Sequence, residues 1–470
     1  MSFMKALQNG SDIRGIAIST EEFDANLTAK EMEKISCGFV TWLKKANGRK
    51  YQDGKLTVGI GRDSRISGPL LKEALIKGLV DQGVNVIDFD LATTPAMFMA
   101  TQFSQFQCDA SVMLTASHLP FYFNGMKFFT MQGGAEKEDI AFILTKATEK
   151  NKNRYTGTVR KADLVTIYAK DLVQKIRNGI GTTNEKPLAG WKIIVDAGNG
   201  SGGFFAELVL EELGADTTGS QFLEPDGHFP NHIPNPDNQE AMVSIKKAVL
   251  ANKADLGVIF DTDVDRSAVV SGNGQVINRN NLIALLSMIV LNEHPGATIV
   301  TNSPTSTHLQ AFIESKQDRY ISGYRNVINR ALALNESGVD AQLAIETSGH
   351  AAFKENYFLD DGAYVIAKIL MLLPRLKEEQ LTLEAIIQGL RQPVEVQEIR
   401  LGLTSDHPQQ RGKEIIQRLS DALKKYPGMK LQPENQEGIR YDLKGVYGDG
   451  WFLLRPSLHE PLLVYKLKMI

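Results

Sequence analysis

Cysteine is nearly absent: Cys37 and Cys108 are the two thiols in a chain of 470 residues. Two cysteines cannot form a disulfide framework, and no Cys pair stands at metal-ligand spacing. A disulfide-rich scaffold is excluded, and a reducing compartment is expected. Long apolar runs are missing too. The longest, 282–291, covers about half a membrane span and contains Ser287. The opening segment, MSFMKALQNG, lacks the apolar run of a signal peptide, so a cytoplasmic protein without a membrane partner is expected. Neither sign of charge dominates: 52 Lys and Arg oppose 55 Asp and Glu, a net −3. A chain so close to neutral is not built to coat nucleic acid, and an anionic ligand must be caught by local arginines. The 40 glycines and 17 prolines are spread rather than pooled, which excludes collagen-like and low-complexity classes.

At about 150 residues per domain, the length suggests about three domains, within a range of two to four. One pattern recurs three times. The β-rich run 55–60 enters Gly61-Arg-Asp-Ser-Arg65 and then a helical pattern through Leu79. The run 191–196 enters Ala197-Gly-Asn-Gly-Ser-Gly-Gly203 and a helix through Leu210. The run 297–301 enters Asn302-Ser-Pro-Thr-Ser-Thr307 and a helix through Phe312. Strand, polar loop, helix, repeated, predicts three copies of one α/β unit. The last stretch differs. It has an amphipathic helix over 414–425 and short strands at 441–447, 450–454 and 461–466, an α+β module placed after the charged stretch at 377–380. The expected domains are 1–160, 161–274, 275–388 and 389–470.

Four segments carry candidate chemistry. In Leu114-Thr-Ala-Ser117-His118-Leu-Pro120, a Ser-His pair leaves a buried strand, ahead of an expected turn at Asn124-Gly125 and then Lys127. Such a serine can act as a nucleophile, or it can simply cap a helix or sit in a turn. In Phe260-Asp261-Thr-Asp263-Val-Asp265-Arg266, an apolar strand ends in aspartates at alternate positions. An extended segment would point all three carboxylates one way, and like charges so placed call for a cation. Oxygen ligands suit Mg²⁺. An EF-hand fails, because its sixth position needs Gly and holds Arg266, and its twelfth needs Glu and holds Gly272. In Glu346-Thr-Ser348-Gly-His350, alternate polar side chains can bind sugar hydroxyls. In Arg455-Pro-Ser457-Leu-His459-Glu-Pro461, Arg455 can grip a phosphate with two prongs, with Ser457 and His459 beside it. Gly198-Asn-Gly200-Ser-Gly-Gly203 matches the dinucleotide fingerprint. The following segment, with Pro230, Pro234 and Pro236, breaks the second strand that fingerprint requires.

Taken in this order, the four segments resemble the α-D-phosphohexomutase superfamily: a TASHxP phosphoserine loop, a DxDxDR metal loop, an ExSGH sugar loop and an RxSxxEP phosphate loop. Ser11-Asp-Ile-Arg14-Gly and Asp226-Gly-His-Phe-Pro-Asn-His232 also look like family segments. The resemblance implies an α/β protein of four domains around a central cleft, three similar with mixed sheets and a C-terminal α+β domain. It implies that Ser117 carries a phosphoryl group and, with Asp261, Asp263 and Asp265, holds Mg²⁺. Arg266, Lys127, Arg14 and His118 would supply positive charge or proton transfer. Glu346, Ser348 and His350 would hold the sugar, Tyr324 and Arg325 lie where substrate choice is tuned, and Arg455, Ser457 and His459 would hold the phosphate that is not reacting. The implied partners are hexose phosphates and hexose bisphosphates, with glucose and mannose phosphates favoured by the SGH form. The superfamily also includes glucose 1,6-bisphosphate synthases. Retaining both Ser117 and the aspartate triad argues against a non-catalytic sugar-phosphate sensor. The sequence departs from the family pattern at Leu119, where Asn is frequent, at Ser11, where Tyr is frequent, and at His459, where Thr is usual, with Pro456 nearby.

Overall fold

The computed structural model describes residues 3–316, 319–324, 326–405, 407–433, 435–457 and 461–469. The chain forms two compact units, one of residues 1–277 with 359–379, the other of 278–358 with 380–470.

The first unit holds two sheets. In the larger, the run of strands is Gln8–Asn9, Asp12–Ile16, Phe123–Thr130, Ala110–Leu114, Thr57–Arg62, Asn85–Leu91 and Val159–Lys161. Thr57–Arg62 is central and parallel to both of its neighbours, while Phe123–Thr130 runs antiparallel to Ala110–Leu114. The sheet is therefore mixed. Ala110–Leu114 is buried at every residue, which is why its sequence is continuously apolar rather than alternating. Helices Ala29–Gln52, Gly68–Val80 and Lys137–Thr145 bury apolar faces with Val58, Ile60 and Val112 of the sheet in one core. Each such fully buried side chain contributes roughly 1.5–3 kcal/mol.

The second sheet of this unit orders Val276–Ile277, Ser267–Ser271, Leu256–Phe260 and Ile193–Asp196. Ile193–Asp196 and Leu256–Phe260 are parallel, whereas Leu256–Phe260 and Ser267–Ser271 form an antiparallel hairpin with Phe260 opposite Ser267. The 198–203 glycines make a tight junction here. A Cβ on Gly200 would lie 2.7 Å from the Thr262 carbonyl oxygen, and one on Gly203 would lie 2.2 Å from that of Leu223. The fingerprint spacing thus serves backbone packing, and a π-helical stretch, Phe205–Glu211, follows it. The helix Gly362–Glu378 also belongs to this unit, packed on Val165–Ile180. Lys377 of the charged stretch expected before the last module lies inside that helix, over the Trp191 ring.

The second unit holds a sheet with strands Arg319–Ile321, Thr298–Thr301, Ala341–Ile345 and Ala351–Phe353 in that order. Its other sheet is antiparallel throughout: Glu395–Gly402, Leu462–Met469, Gly450–Pro456, Ile439–Leu443 and Met429–Leu431. The helix Pro408–Leu423 covers it, starting earlier than the expected 414 because Pro408 sets the first turn. Three α/β layers with mixed sheets plus a β-rich C-terminal module are thus present. Among the described residues no helix is long and apolar enough to cross a membrane.

Candidate active site

The buried strand Ala110–Leu114 delivers the chain to Thr115, whose Oγ1 accepts from the Ser117 N–H at 2.8 Å. Ser117 has φ +50°, a left-handed conformation that a non-glycine residue adopts only when its surroundings impose it. Its side chain is buried. Ser117 Oγ donates to Asp261 Oδ2 at 2.9 Å and accepts from Arg266 Nη2 at 3.0 Å. His118 Nδ1 stands 3.5 Å from Ser117 Oγ and 2.5 Å from Arg266 Nη2. A guanidinium can only donate, so His118 Nδ1 accepts and a neutral ring carries its proton on Nε2.

The loop reverses earlier than expected. Leu119 N–H bonds to Ala116 O and Phe123 N–H to Pro120 O, so the turns are complete before Asn124. Asn124 and Gly125 are inside the strand Phe123–Thr130. Gly125 is there for close approach: a Cβ would lie 2.2 Å from Ile13 O and 2.8 Å from Thr115 O. This strand carries Lys127 into the site and pairs Gly125 with Arg14 of the neighbouring strand. Arg14 Nη1 donates to Ala116 O at 3.3 Å, and Nη2 to Asp12 at 3.0 Å.

The three aspartates do not lie on an extended segment. Residues 261–266 form the loop of the hairpin that pairs Phe260 with Ser267, and Val264 adopts φ +68°. The loop's curl, not strand alternation, gathers the carboxylates: one oxygen from each of Asp261, Asp263 and Asp265 lies within 4.8 Å of the others. All three are buried. Lys127 Nζ bonds Asp263 Oδ2 at 2.9 Å and also Asp265 Oδ2. Thr94, first residue of the helix Thr94–Gln102, donates its Oγ1 to Asp263 Oδ2 at 2.5 Å and its N–H to Asp263 O at 2.8 Å. Arg266 Nε bonds Asp261 Oδ2 at 3.1 Å.

Burial, then the charges of Asp265 and Asp263, push the Asp261 carboxyl well above its usual range. Burial works against the charge on Lys127 and Arg266, but the aspartates outweigh it and hold both above their ordinary values. Three carboxylates thus face two fixed cations. Asp263 Oδ1 is buried and meets no hydrogen-bond partner among the described residues. A buried, unmet carboxylate oxygen in an all-oxygen cluster fits a hard divalent cation such as Mg²⁺.

In the second unit, Glu346, Ser348 and His350 occupy the hairpin between Ala341–Ile345 and Ala351–Phe353. Ser348 Oγ lies 3.2 Å from Glu346 Oε2 and 2.9 Å from His350 Nδ1, so the three form one polar group. Tyr324 is half-buried against the apolar core of its sheet, with the Arg330 guanidinium 4.9 Å from its ring centre. Arg455 is the penultimate residue of the strand Gly450–Pro456, and its buried Nε finds no partner among the described residues. Ser457 N–H bonds Leu462 O at 2.8 Å. Arg325 and His459 lie outside the described residues.

Sequence reasoning missed Asp63, Arg65 and Thr94. Arg65 is completely buried and donates to four carbonyls of the Ser117 loop. The available signal is Arg62-Asp63-Ser-Arg65, an Asp between two arginines at the exit of the first strand–loop–helix repeat.

The chain matches family models described as phosphoglucomutase/phosphomannomutase α/β/α domain I over residues 5–155, domain II over 167–274 and domain III over 278–393. It is 32% identical over 433 residues to a phosphomannomutase/phosphoglucomutase of Pseudomonas putida, covering 91% of this chain and 87% of that protein. A phosphoglucomutase/phosphomannomutase of Thermococcus kodakarensis is 30% identical over 458 residues, covering 96% and 92%. The crystal structure of a phosphoglucomutase/phosphomannomutase family protein from Burkholderia thailandensis superposes with a TM-score of 0.79 at 26% identity, covering 99% of this chain and 93% of that one.

Proposed function

The chain belongs to the phosphoglucomutase/phosphomannomutase family of α-D-phosphohexomutases and is an enzyme of the phosphohexomutase type; on that premise we propose that it interconverts the 1- and 6-phosphates of glucose or mannose through a phosphorylated Ser117 and a hexose 1,6-bisphosphate. The observation that carries this reading is the placement of Ser117 Oγ against the buried aspartate loop, 2.9 Å from Asp261 and 3.0 Å from Arg266.

In this mechanism a sugar hydroxyl attacks the phosphoryl group on Ser117 Oγ. The bond from phosphorus to Oγ breaks as the bond to the sugar oxygen forms. Positioning and charge stabilisation do most of the work of such a transfer. Arg266 holds Ser117 Oγ and meets the charge that develops on it. Lys127, bonded to Asp263 and Asp265, supplies positive charge or proton transfer beside the phosphoryl group. The proton of the attacking sugar hydroxyl ends on Ser117 Oγ as that oxygen leaves phosphorus, and Lys127 and His118 are the side chains near it that would relay it. Arg14 adds charge next to the loop carbonyls. Asp261, Asp263 and Asp265, with the Ser117 oxygen, would hold Mg²⁺, which when bound offsets the charge of phosphoserine and the carboxylates. Glu346, Ser348 and His350 bind sugar hydroxyls, Tyr324 and Arg325 tune the choice of sugar, and Arg455, Ser457 and His459 hold the phosphate that is not reacting.

The test combines intact mass with phosphorus NMR. Glucose 1,6-bisphosphate should add one phosphate to the protein, and glucose 6-phosphate should remove it. Ser117→Ala should take up none and should show no turnover while remaining folded. Rapid interconversion of the glucose monophosphates, with only catalytic bisphosphate, is the expected outcome. Stoichiometric glucose 1,6-bisphosphate from glucose 6-phosphate and fructose 1,6-bisphosphate, with little glucose 1-phosphate, would instead make the enzyme a bisphosphate synthase.

A further inference from the structure

Ser117 sits in a left-handed backbone conformation, at φ +50°, and something must hold it there. The Asp63–Arg65 pair is built for that task. Both side chains are fully buried, and Arg65 Nε contacts Asp63 Oδ2 at 3.1 Å. The rest of the guanidinium is spent on the loop. Arg65 Nη1 donates to Pro120 O at 2.7 Å and Phe123 O at 3.0 Å. Arg65 Nη2 donates to Leu119 O at 2.7 Å and to Ser117 O. Asp63 closes the circuit, since its Oδ2 accepts from Thr115 Oγ1 at 2.7 Å, and the same Oγ1 accepts the Ser117 N–H at 2.8 Å. The N–H and the carbonyl of Ser117 are thus both tied to one buried ion pair.

The 226–232 segment braces that pair from outside. The Phe229 ring centre lies 5.3 Å from the Arg65 guanidinium carbon. A Cβ on Gly227 would lie 2.4 Å from Ser64 O and 2.7 Å from Arg65 Cα, so the two loops meet backbone to backbone.

We propose that Arg65, acting through Asp63 and Thr115, is a positioning residue for phosphoryl transfer: it sets the backbone of Ser117 so that Oγ meets Arg266 and the aspartate loop. This rests on the phosphoserine reading above. Arg65 touches no reacting atom, so its loss should lower turnover without weakening the grip on sugar phosphate. Lysine cannot replace it, because one ammonium cannot reach four carbonyls in a planar fork.

The experiment measures kcat and KM for glucose 1-phosphate, together with phosphate uptake by intact mass, in wild type, Arg65→Lys, Thr115→Val and Thr115→Ser. Wild type must first show the phosphoenzyme and turnover. If it does not, the phosphoserine reading fails before the positioning role is addressed. With wild type active, folded Arg65→Lys and Thr115→Val should each lose roughly a hundredfold in kcat, with KM changed less than about threefold. Thr115→Ser, which keeps the hydroxyl, should recover most of the rate. Wild-type kcat in either folded variant overturns the proposal, as does a loss that tracks only the fraction of folded protein. Should Arg65→Lys not fold, Thr115→Val and its rescue by Ser decide the question.

Discussion

Asp263 is gripped on one side only, with Thr94 Oγ1 and Lys127 Nζ both on Oδ2 and Oδ1 without a hydrogen-bond partner among the described residues. Asp263→Asn keeps the shape and removes the charge. The loss of one charge-assisted contact is typically ~1.5–3 kcal/mol, so Mg²⁺ binding should weaken roughly ten- to a hundredfold. Titration calorimetry with Mg²⁺ checks this, and an unchanged affinity would remove Asp263 from the metal set. The aspartates were legible because carboxylates at alternate positions after an apolar run need a charge-balancing reason. Thr94 was not, because it meets Asp263 across a sequence separation of 169 residues. Arg65 was hidden for the opposite reason: an arginine in a polar loop reads as solvated, and only the fold shows it fully buried against four carbonyls.

At the scale of elements, the site is a meeting of loops steadied by helix starts. The helix Gly362–Glu378 begins against the back of the aspartate loop, where Gly362 N–H bonds Val264 O at 2.9 Å. A Cβ on Gly362 would lie 2.7 Å from both Arg266 C and Arg266 O and 2.9 Å from Val264 O. Alanine is worth up to about 1 kcal/mol more than glycine inside a helix. A contact that close to backbone atoms outweighs that gain, because the loop cannot yield without moving Arg266. Gly362→Ala should therefore cut kcat at least tenfold and weaken Mg²⁺ binding while helix content by circular dichroism stays unchanged. A variant with wild-type turnover would mean the loop tolerates the shift. Elements were read less well than residues, for identifiable reasons. Asn124-Gly125 looks like a turn by local propensity, but the glycine is needed where strands cross closely, and tertiary packing wins. The aspartate loop looked extended because its alternation fits a strand, whereas the antiparallel pairing of Phe260 with Ser267 forces it to turn back.

Across the whole molecule, the threefold strand–loop–helix pattern was visible because each copy carries its own apolar strand. The return of 359–379 to the first unit was not. It depends on contacts such as Tyr168 OH to Asp361 Oδ1, 2.6 Å apart in space and separated by 193 residues in sequence. The 226–232 segment, seen in sequence only as a family-like motif, supplies His232 to a buried ion pair with Asp196 that has a consequence for global stability. His232 Nε2 lies 3.0 Å from both carboxylate oxygens of Asp196, and its Nδ1 lies 3.0 Å from Ile233 O. Both ring nitrogens face acceptors, so the imidazolium is the form the fold satisfies. Burial works against that charge, but Asp196 outweighs it and the pKa of His232 is raised. The folded protein therefore binds this proton more tightly than the unfolded chain, whose histidine titrates near ~6.5. The stabilisation is complete below that pH and is lost as the pH rises through the higher folded value. His232→Gln keeps a donor toward Asp196 without the charge, so it should cost more stability at pH ~6 than at pH ~9. A tenfold difference in proton affinity corresponds to about 1.4 kcal/mol, which sets the scale of that gap. Urea unfolding of wild type and variant at both pH values measures it, and the carboxylates common to both proteins cancel in the comparison. An equal cost at the two pH values would mean that His232 folds neutral and meets Asp196 only as an uncharged Nε2–H donor, beside Gln221 and the Gly198 N–H.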